Sequence, residues 1–276
     1  MAKQTRILLL FLLLTILLLF VIYQNTVKND DNKFKIYFFN AGKADAILLS
    51  KNKKYFMIDT GEASLGNEIL SYLKSNHIDK LEYLIVTHFD KDHVGSASQI
   101  INNIEIGKVL QSNVPKDSEF YDNYIAALNK KSIEPVIVNG DYKLSFDDLG
   151  IIVNGPSKIY DKNESNNASL IVKVINGDNK FLFMGDSEND RIRDFLTSNN
   201  ETYDFIKMPY HCRYLKELDN LLASINAKYA VMTCSYNEGC EEDTISLLNK
   251  HNISYYATKK GSITILSDGR TIKIKQ

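Results

Sequence analysis

Net charge is nearly absent from this sequence, in which 33 lysines and arginines face 34 aspartates and glutamates and leave a formal charge of -1. This balance excludes the global basic field that is typical of nucleic-acid-binding proteins, so any polyanion would have to be held locally. Proline is rare too, at four in 276 residues, and no repeat, long charge run or proline- and serine-rich tract follows residue 33. We therefore predict one domain over residues 34–276.

Cysteine is also scarce. The chain has three, Cys212, Cys234 and Cys240, so at least one of them is unpaired. Cys234 and Cys240 are close enough in sequence to form a disulfide in an oxidising compartment, and three free thiols are an equally weighted alternative. Cys212 is expected to be a buried, inert thiol and not a metal ligand.

Long apolar runs are missing with one exception, Ile7 to Tyr23, which consists almost entirely of Leu, Ile, Phe and Val. Its length suits a short membrane-spanning helix, and it also lies just above that of a signal-peptide core. Because no small-residue cleavage site follows, we predict that residues 1–33 form a cytoplasmic tip, one uncleaved transmembrane signal anchor and a short linker. Lys3 and Arg6 precede the run and Asp30 and Asp31 follow it, which predicts a single-pass protein of the cell membrane whose domain is extracytoplasmic.

The most informative feature that is present is the segment His88-Phe89-Asp90-Lys91-Asp92-His93, directly after the apolar run that ends at Val86 and Thr87. Two imidazoles and two carboxylates at the end of a buried strand are typical ligands of zinc and related metals. A solvated polar turn is the alternative, but two of the chain's five histidines fall within these six residues, which favours a metal site. A structural calcium loop is disfavoured, because calcium prefers oxygen ligands and would not recruit the two histidines.

Short strands are predicted along most of residues 34–276. Phe34 to Phe39, Ala46 to Leu49 and Tyr55 to Ile58 open the domain as a meander, and strands then alternate with helices. Two halves that are rich in strands, each ending in strand–helix units, predict an α/β fold with two sheets face to face and helices outside, an αββα sandwich.

Several motifs occur in the order, and at about the spacing, of those of the metallo-β-lactamase superfamily. They are Asp59-Thr60-Gly61, His88-x-Asp90-x-Asp92-His93, Phe183-Met184-Gly185-Asp186 and Lys207-Met208-Pro209-Tyr210-His211. The version resembles the extracytoplasmic hydrolase domain of ComEC-like competence proteins, whose strand-end motif also reads His-x-Asp-x-Asp-His. Phe39 to Ala46 resembles a weakened copy of that subfamily's opening motif, and Asn166 to Ile171 resembles its asparagine-rich stretch. The resemblance covers the whole chain after the apolar run.

The resemblance implies roles for individual residues. It implies six metal ligands: His88, Asp90, Asp92, His93, Asp186 and His211. His88 and Asp90 would belong to a first metal site, the others to a second, and Asp186 would bridge both. Asp59 would hydrogen-bond the ligand loop and orient it. The metal would be zinc, or alternatively manganese, which activates water for hydrolysis. Asp90 or Asp92, if free of metal, could serve as the catalytic general base.

Two departures from the family pattern affect the expected number of metal ions and the expected function. No histidine lies between His93 and His211, so the first site lacks an imidazole and only Asn166 or Asn167 is available there. One tight ion is therefore expected, with the second left open. The family's His-His-Gly-Ser is replaced by residues 210–213, Tyr-His-Cys-Arg. Two functions compete: a membrane-anchored metal-dependent hydrolase of phosphodiesters, with nucleic acid as a candidate substrate, and a degenerate fold that binds metal or ligand without turnover.

Overall fold

A computed structural model describes residues 4, 7–9, 11–20, 32–146 and 148–276. Residues 11–20 are helical, and their apolar side chains are exposed. Within the described residues, no helix combines the length and the apolar character that a membrane crossing requires. The predicted span from Ile7 to Tyr23 lies partly outside the described residues, so the membrane anchor stays a prediction.

Two mixed sheets form the centre of the described structure. The first has the strand order β15-β14-β1-β2-β3-β4-β5-β6 and consists of β1 (Phe34–Phe38), β2 (Ala46–Lys51), β3 (Lys54–Thr60), β4 (Lys80–Val86), β5 (Glu105–Gln111), β6 (Val136–Ile137), β14 (Ile263–Ser267) and β15 (Ile272–Lys275). The second has the order β13-β12-β11-β10-β9-β8-β7 and consists of β7 (Asp141–Phe146), β8 (Leu149–Asn154), β9 (Ile171–Asn176), β10 (Asn179–Phe183), β11 (Phe205–Lys207), β12 (Tyr229–Met232) and β13 (Ser254–Ala257).

The helices cover the outer faces of the two sheets. The first sheet carries α1 (Gly66–Ser75), α2 (Lys91–Val94), α3 (Ala97–Asn103) and α4 (Glu119–Lys130), and the second carries α5 (Asn189–Ser198), α6 (Leu218–Ile225) and α7 (Glu242–Lys250). Short 3-10 turns lie at Ala63–Leu65, Lys162–Ala168, Pro209–Cys212 and Thr258–Lys260. The expectation of an α/β fold with two facing sheets and helices outside is thus confirmed.

The main core lies between the sheets, and period-two alternation in the strands builds it. Phe34, Ile36 and Phe38 of β1 point into this core, while the residues between them are only half-buried. Phe34 packs edge-to-face on Phe181 of β10, with ring centroids 5.2 Å apart, so aromatic rings join the two sheets. Each such ring stabilises the fold by about 1.5–3 kcal/mol through burial.

Parallel pairing positions the polar loops. β3 and β4 pair in parallel in the first sheet, and β10 and β11 pair in parallel in the second. Because parallel strands end at the same edge of a sheet, the segments that follow β3 and β4 lie together, as do those that follow β10 and β11. Asp59 lies at the end of β3, and the segments after β4, β10 and β11 hold His88 to His93, Asp186 and His211. All of these residues meet at one edge of the sandwich.

Candidate metal centre

The first half of the candidate centre follows β4. Asp90 has an extended backbone and precedes the one-turn helix α2, in which the amide of His93 donates to the carbonyl of Asp90 at 2.9 Å. This turn places Asp92 and His93 side by side on its inner face. His93 is fully buried, whereas the Asp92 side chain keeps 21% exposure.

The second half follows β10 and β11. Gly185 adopts φ +54°, and a Cβ atom there would lie 3.1 Å from Cβ of Ser169 and 3.3 Å from Cβ of Thr87. Glycine therefore permits the tight turn that brings Asp186 inward. Residues 210–212 all have positive φ, which non-glycine residues adopt at a cost of order 1–3 kcal/mol each. This strained turn presents His211 to the same interior.

Four side chains from the two halves converge. The side-chain atoms of Asp92, His93, Asp186 and His211 that could bind a metal ion all lie within 4.8 Å of one another. Nε2 of His93 is 3.3 Å from Nε2 of His211 and 3.3 Å from Oδ1 of Asp186. Nε2 of His211 is 3.1 Å from Oδ2 of Asp186 and 3.4 Å from Oδ2 of Asp92. Two imidazoles and two carboxylates in this arrangement match a zinc donor set.

Both histidines are held at Nδ1, which leaves Nε2 facing inward. Nδ1 of His93 lies 2.8 Å from Oδ2 of the fully buried Asp59, which also accepts the Thr87 hydroxyl at 2.6 Å through the same oxygen. Nδ1 of His211 lies 3.1 Å from the Thr233 carbonyl oxygen and 3.0 Å from its hydroxyl. Partners of this kind fix the tautomer of a metal-ligating histidine and orient its ring.

Two buried atoms at this centre have no hydrogen bond within the described residues. They are Nε2 of His88 and Oδ1 of Asp186. A buried polar atom left without a partner costs about 1–3 kcal/mol, so each such atom calls for an explanation. A cation between the imidazoles and Asp186 would satisfy the carboxylate, and the donor set therefore fits a zinc or manganese ion.

Burial and the charges of neighbouring side chains set the pKa values of the residues in the centre. Burial would lower the pKa of His93, but the charges of Asp186 and Asp59 outweigh burial and raise this pKa well above its usual range. The pKa of His211 is raised to about 8, because Asp186 and Asp92 outweigh the effect of burial. The pKa of the Asp186 carboxyl is held well below its usual value by the two imidazoles, although burial opposes this. The centre thus favours negative carboxylates and attracts positive charge.

A buried ion pair lies behind the candidate ligands, and the sequence did not predict it. Lys207 is fully buried, forms a close ion pair with Asp45, lies 3.7 Å from Asp186 and donates to the Gly185 carbonyl at 3.0 Å. Asp45 accepts the Thr233 hydroxyl at 2.7 Å, and Thr233 in turn holds His211. Asp45 and Lys207 both fall in motif segments, which was the available signal. The Lys207 side chain is enclosed and therefore does not reach a substrate phosphate.

The first metal position is not assembled in the same way. Nδ1 of His88 lies 3.2 Å from the Thr87 hydroxyl, while Nε2 of His88 lies 3.8 Å from Oδ1 of Asp90. The pKa of His88 is lowered to about 4 by burial and by the charge of His93, so this imidazole is neutral. Asn166 donates to Glu188 at 2.8 Å, and the side-chain oxygen of Asn167 accepts the amide of Arg191 at 3.2 Å. Neither asparagine replaces the imidazole that the sequence lacks.

The cysteines correct one expectation. Cys240 is disulfide-bonded to Cys212, and Cys234 is a free, buried thiol, so both the predicted Cys234–Cys240 pair and the alternative of three free thiols are wrong. Cys212 is buried as expected, but it is not a free thiol. The tight turn over residues 209–212 brings Cys212 next to the loop that carries Cys240. Sγ of Cys234 still lies 3.6 Å from Sγ of Cys240. The bond anchors the residue that directly follows His211.

The family model described as the metallo-beta-lactamase superfamily matches residues 40–235. The chain belongs to this superfamily. It is 25% identical over 204 residues to ComE operon protein 3 of Bacillus subtilis, covering 71% of this chain and 26% of the relative. It is 24% identical over 199 residues to Recombination protein 2 of Haemophilus influenzae, covering 70% of this chain and 23% of the relative. The chain thus spans about a quarter of the length of each curated relative.

A solved structure shows the same metallo-β-lactamase fold. The metallo-beta-lactamase fold protein YhfI from Bacillus subtilis aligns with a TM-score of 0.58 at 10% identity, covering 88% of this chain and 100% of YhfI. At this identity the likeness concerns the fold alone. The resemblance to ComEC-like proteins that the motifs indicate agrees with the first of the two curated relatives and with the family match.

Proposed function

We propose that this protein is a membrane-anchored, metal-dependent hydrolase of phosphodiesters. Its tight metal ion, zinc or alternatively manganese, is held by Asp92, His93, Asp186 and His211. The convergence of these four side chains, whose ligand atoms lie within 4.8 Å of one another, carries the proposal. Members of the superfamily are mostly metal-dependent hydrolases, which supports the assignment of a reaction type.

The surroundings of His211 support an anionic substrate. A cavity of about 350 Å³ is lined by His211, Lys43, Arg213 and Glu238 among others. The Lys43 ammonium pairs with Glu238 at 3.0 Å, and the Arg213 guanidinium stacks on the Tyr210 ring at 5.1 Å from its centroid. Glu241 also lines this cavity and Lys43 is neutralised by Glu238, so Arg213 is the side chain that suits a phosphodiester group. The name of one curated relative, Recombination protein 2, agrees with nucleic acid as a candidate substrate.

The metal ion and the side chains around it would have separate roles in hydrolysis. A zinc or manganese ion, when bound, lowers the pKa of water and withdraws charge from a phosphoryl oxygen. Asp59 and Thr233 fix the two imidazoles, so that both Nε2 atoms stay directed inward. The pKa of Asp90 is lowered, because its interactions with His88, Lys116 and Ser165 together outweigh its burial, so the carboxylate is ionised at neutral pH but is a weaker base than an unperturbed aspartate. The pKa of Asp92 is lowered in the same way by His211 and His93, against the effect of burial.

The second candidate function is a degenerate fold that binds metal or ligand without turnover. The substituted turn favours it. Tyr210, the disulfide-bonded Cys212 and Arg213 surround His211, where the family motif has a histidine, a glycine and a serine, and Cys212 adopts positive φ. A loop that is fixed in this way cannot adjust to a substrate as a glycine-containing loop can.

Elemental analysis and a phosphodiester assay on the full chain test the proposal. After zinc or manganese loading, we expect one tight ion and cleavage of bis-p-nitrophenyl phosphate. The variant His93→Ala should lose both, whereas His77→Asn, a change at an exposed histidine after α1, should keep both. Metal without cleavage of any phosphodiester would favour the degenerate binder, and no tight metal under any loading condition would refute both functions.

The membrane anchor is tested separately. Protease added to intact cells should degrade the domain if Ile7 to Tyr23 tethers it on the extracytoplasmic side. Full protection of the domain, or a mature chain that begins after residue 23 in the culture fluid, would contradict this part of the proposal.

A further inference from the structure

Asp90, which would belong to the first metal site, already has a cation beside it. Nζ of Lys116 lies 2.5 Å from Oδ1 of Asp90, and the Ser165 hydroxyl donates to the same oxygen at 2.7 Å. The Lys116 ammonium is also 3.4 Å from the Ser165 hydroxyl. The oxygen that would face a metal ion together with His88 is therefore occupied by a lysine and a serine.

Two loops hold Lys116 and Ser165 in these positions. Lys116 lies between β5 and α4, and Ser165 lies in the turn Lys162–Ala168. The Ser112 hydroxyl donates to the Ala168 carbonyl at 2.8 Å and so joins the two loops. Val114 packs with Tyr160 and Ala168 in a small apolar cluster below them. The contact between Lys116 and Asp90 is thus supported by a packed base and is not a chance encounter of surface side chains.

Repulsion between cations also disfavours a second ion. The centre and its supporting layer contain five carboxylates: Asp45, Asp59, Asp90, Asp92 and Asp186. One divalent ion together with the ammonium groups of Lys207 and Lys116 would balance four of these negative charges. A second divalent ion would have to sit beside the Lys116 ammonium and would meet like-charge repulsion at short range.

The donors left for a first ion are also few. His88 contributes Nε2, whereas Asn166 and Asn167 bind elsewhere. Among the described residues, no group of three or more close histidine, cysteine or acidic ligands includes His88. A catalytic zinc needs about three protein ligands, and this corner offers fewer once Asp90 is paired with lysine.

We propose that the Lys116 ammonium takes the place of one metal ion of a two-metal centre, so that this protein works with a single ion and a lysine. The inference rests on the proposed metal site at Asp92, His93, Asp186 and His211. Lys116 is a positioning residue in this scheme: it neutralises Asp90 and keeps the carboxylate in place beside His88. The specific consequence is that Lys116 sets the number of metal ions that the chain binds.

The test is metal stoichiometry, measured by elemental analysis and calorimetric titration of the full chain with zinc. The wild-type chain should bind one ion, and Lys116→Ala should bind two, because Asp90 and His88 become available to the second ion. Lys116→Gln, which removes the charge and keeps most of the stem, should behave as Lys116→Ala does. Adding His88→Ala to Lys116→Ala should return the stoichiometry to one and so locate the second ion.

Lys162→Ala is the matched control, since Lys162 lies near the same loops but pairs with the exposed Asp117 at 3.1 Å. It should bind one ion. Two ions in the wild-type chain, or one ion in both Lys116 variants with an unchanged circular dichroism spectrum, would overturn the role of Lys116 and leave the proposed hydrolase intact. No ion in the wild-type chain would refute the metal site itself, and the role of Lys116 with it.

Discussion

Asp59→Asn is the most informative single substitution, because it changes one atom of a buried group that holds a proposed ligand. Oδ1 of Asp59 accepts the Thr87 amide at 2.8 Å, and Oδ2 accepts the Thr87 hydroxyl at 2.6 Å and contacts Nδ1 of His93 at 2.8 Å. A carboxylate in this position requires a proton on Nδ1 of His93. Nε2 is then the nitrogen that would bind a metal ion, which would have to displace the Nε2 proton because the pKa of His93 is raised.

Asparagine reverses this requirement. Its oxygen must still accept the Thr87 amide, so its NH₂ group faces Nδ1 of His93 and donates to it. The ring proton of His93 then moves to Nε2, the atom that faces Asp186 and His211. Loss of such a supporting partner lowers metal affinity about 10- to 100-fold, which corresponds to about 1.4–2.7 kcal/mol.

Zinc affinity measured by competition with a chelator tests this reasoning. Asp79→Asn is the matched control, since Asp79 is exposed and precedes β4 at the end of the strand opposite to the metal centre. The control should keep the wild-type affinity. Wild-type affinity in Asp59→Asn, within a factor of about two, would show that Asp59 does not set the tautomer of His93.

Two further substitutions test the supporting layer. Cys212→Ser removes the bond to Cys240, which should lower the free energy of unfolding by about 2–4 kcal/mol, as measured by thermal unfolding. The same variant should bind zinc more weakly, because His211 is adjacent to Cys212, and competition with a chelator measures this effect. Cys234→Ser is the control for burial of a serine hydroxyl and should keep the wild-type zinc affinity, and equal zinc affinities of the two variants would contradict a role of the disulfide at the metal centre. Lys207→Met leaves Asp45 buried without its cation and should destabilise the fold by about 3–5 kcal/mol in urea unfolding, part of which Asp45→Asn should restore. No change in the urea midpoint of Lys207→Met would refute this account of the buried pair.

The sequence predicted the features that depend on strand ends. An apolar run followed by polar ligands is a local pattern, and the order of the metallo-β-lactamase motifs assigned His93 and His211 to one site across 118 residues. The two-sheet layout followed from the strand pattern in the same way. The assignment of these side chains as metal ligands is still a prediction, as is the membrane anchor.

Contacts between loops could not be predicted. Lys116 and Ser165 lie 26 and 75 positions from Asp90, outside any motif, and a lysine in a loop is most often a solvated surface charge. The prediction of the disulfide was wrong for a related reason. Sequence proximity favoured Cys234 as the partner of Cys240, but bonding depends on the separation and direction of the Cβ atoms, which only the folded loops determine.

The candidate centre also links the two sheets. Asp92 and His93 follow a strand of the first sheet, and Asp186 and His211 follow strands of the second, so neither sheet holds a complete ligand set. An ion bound by all four side chains would therefore oppose separation of the sheets as well as local opening of the loops. Because the unfolded chain offers no such site, an ion at 100 times its dissociation constant would stabilise the fold by about 2.7 kcal/mol. A metal-dependent rise in unfolding temperature that disappears in His93→Ala would distinguish such an inter-sheet site from adventitious binding to one loop.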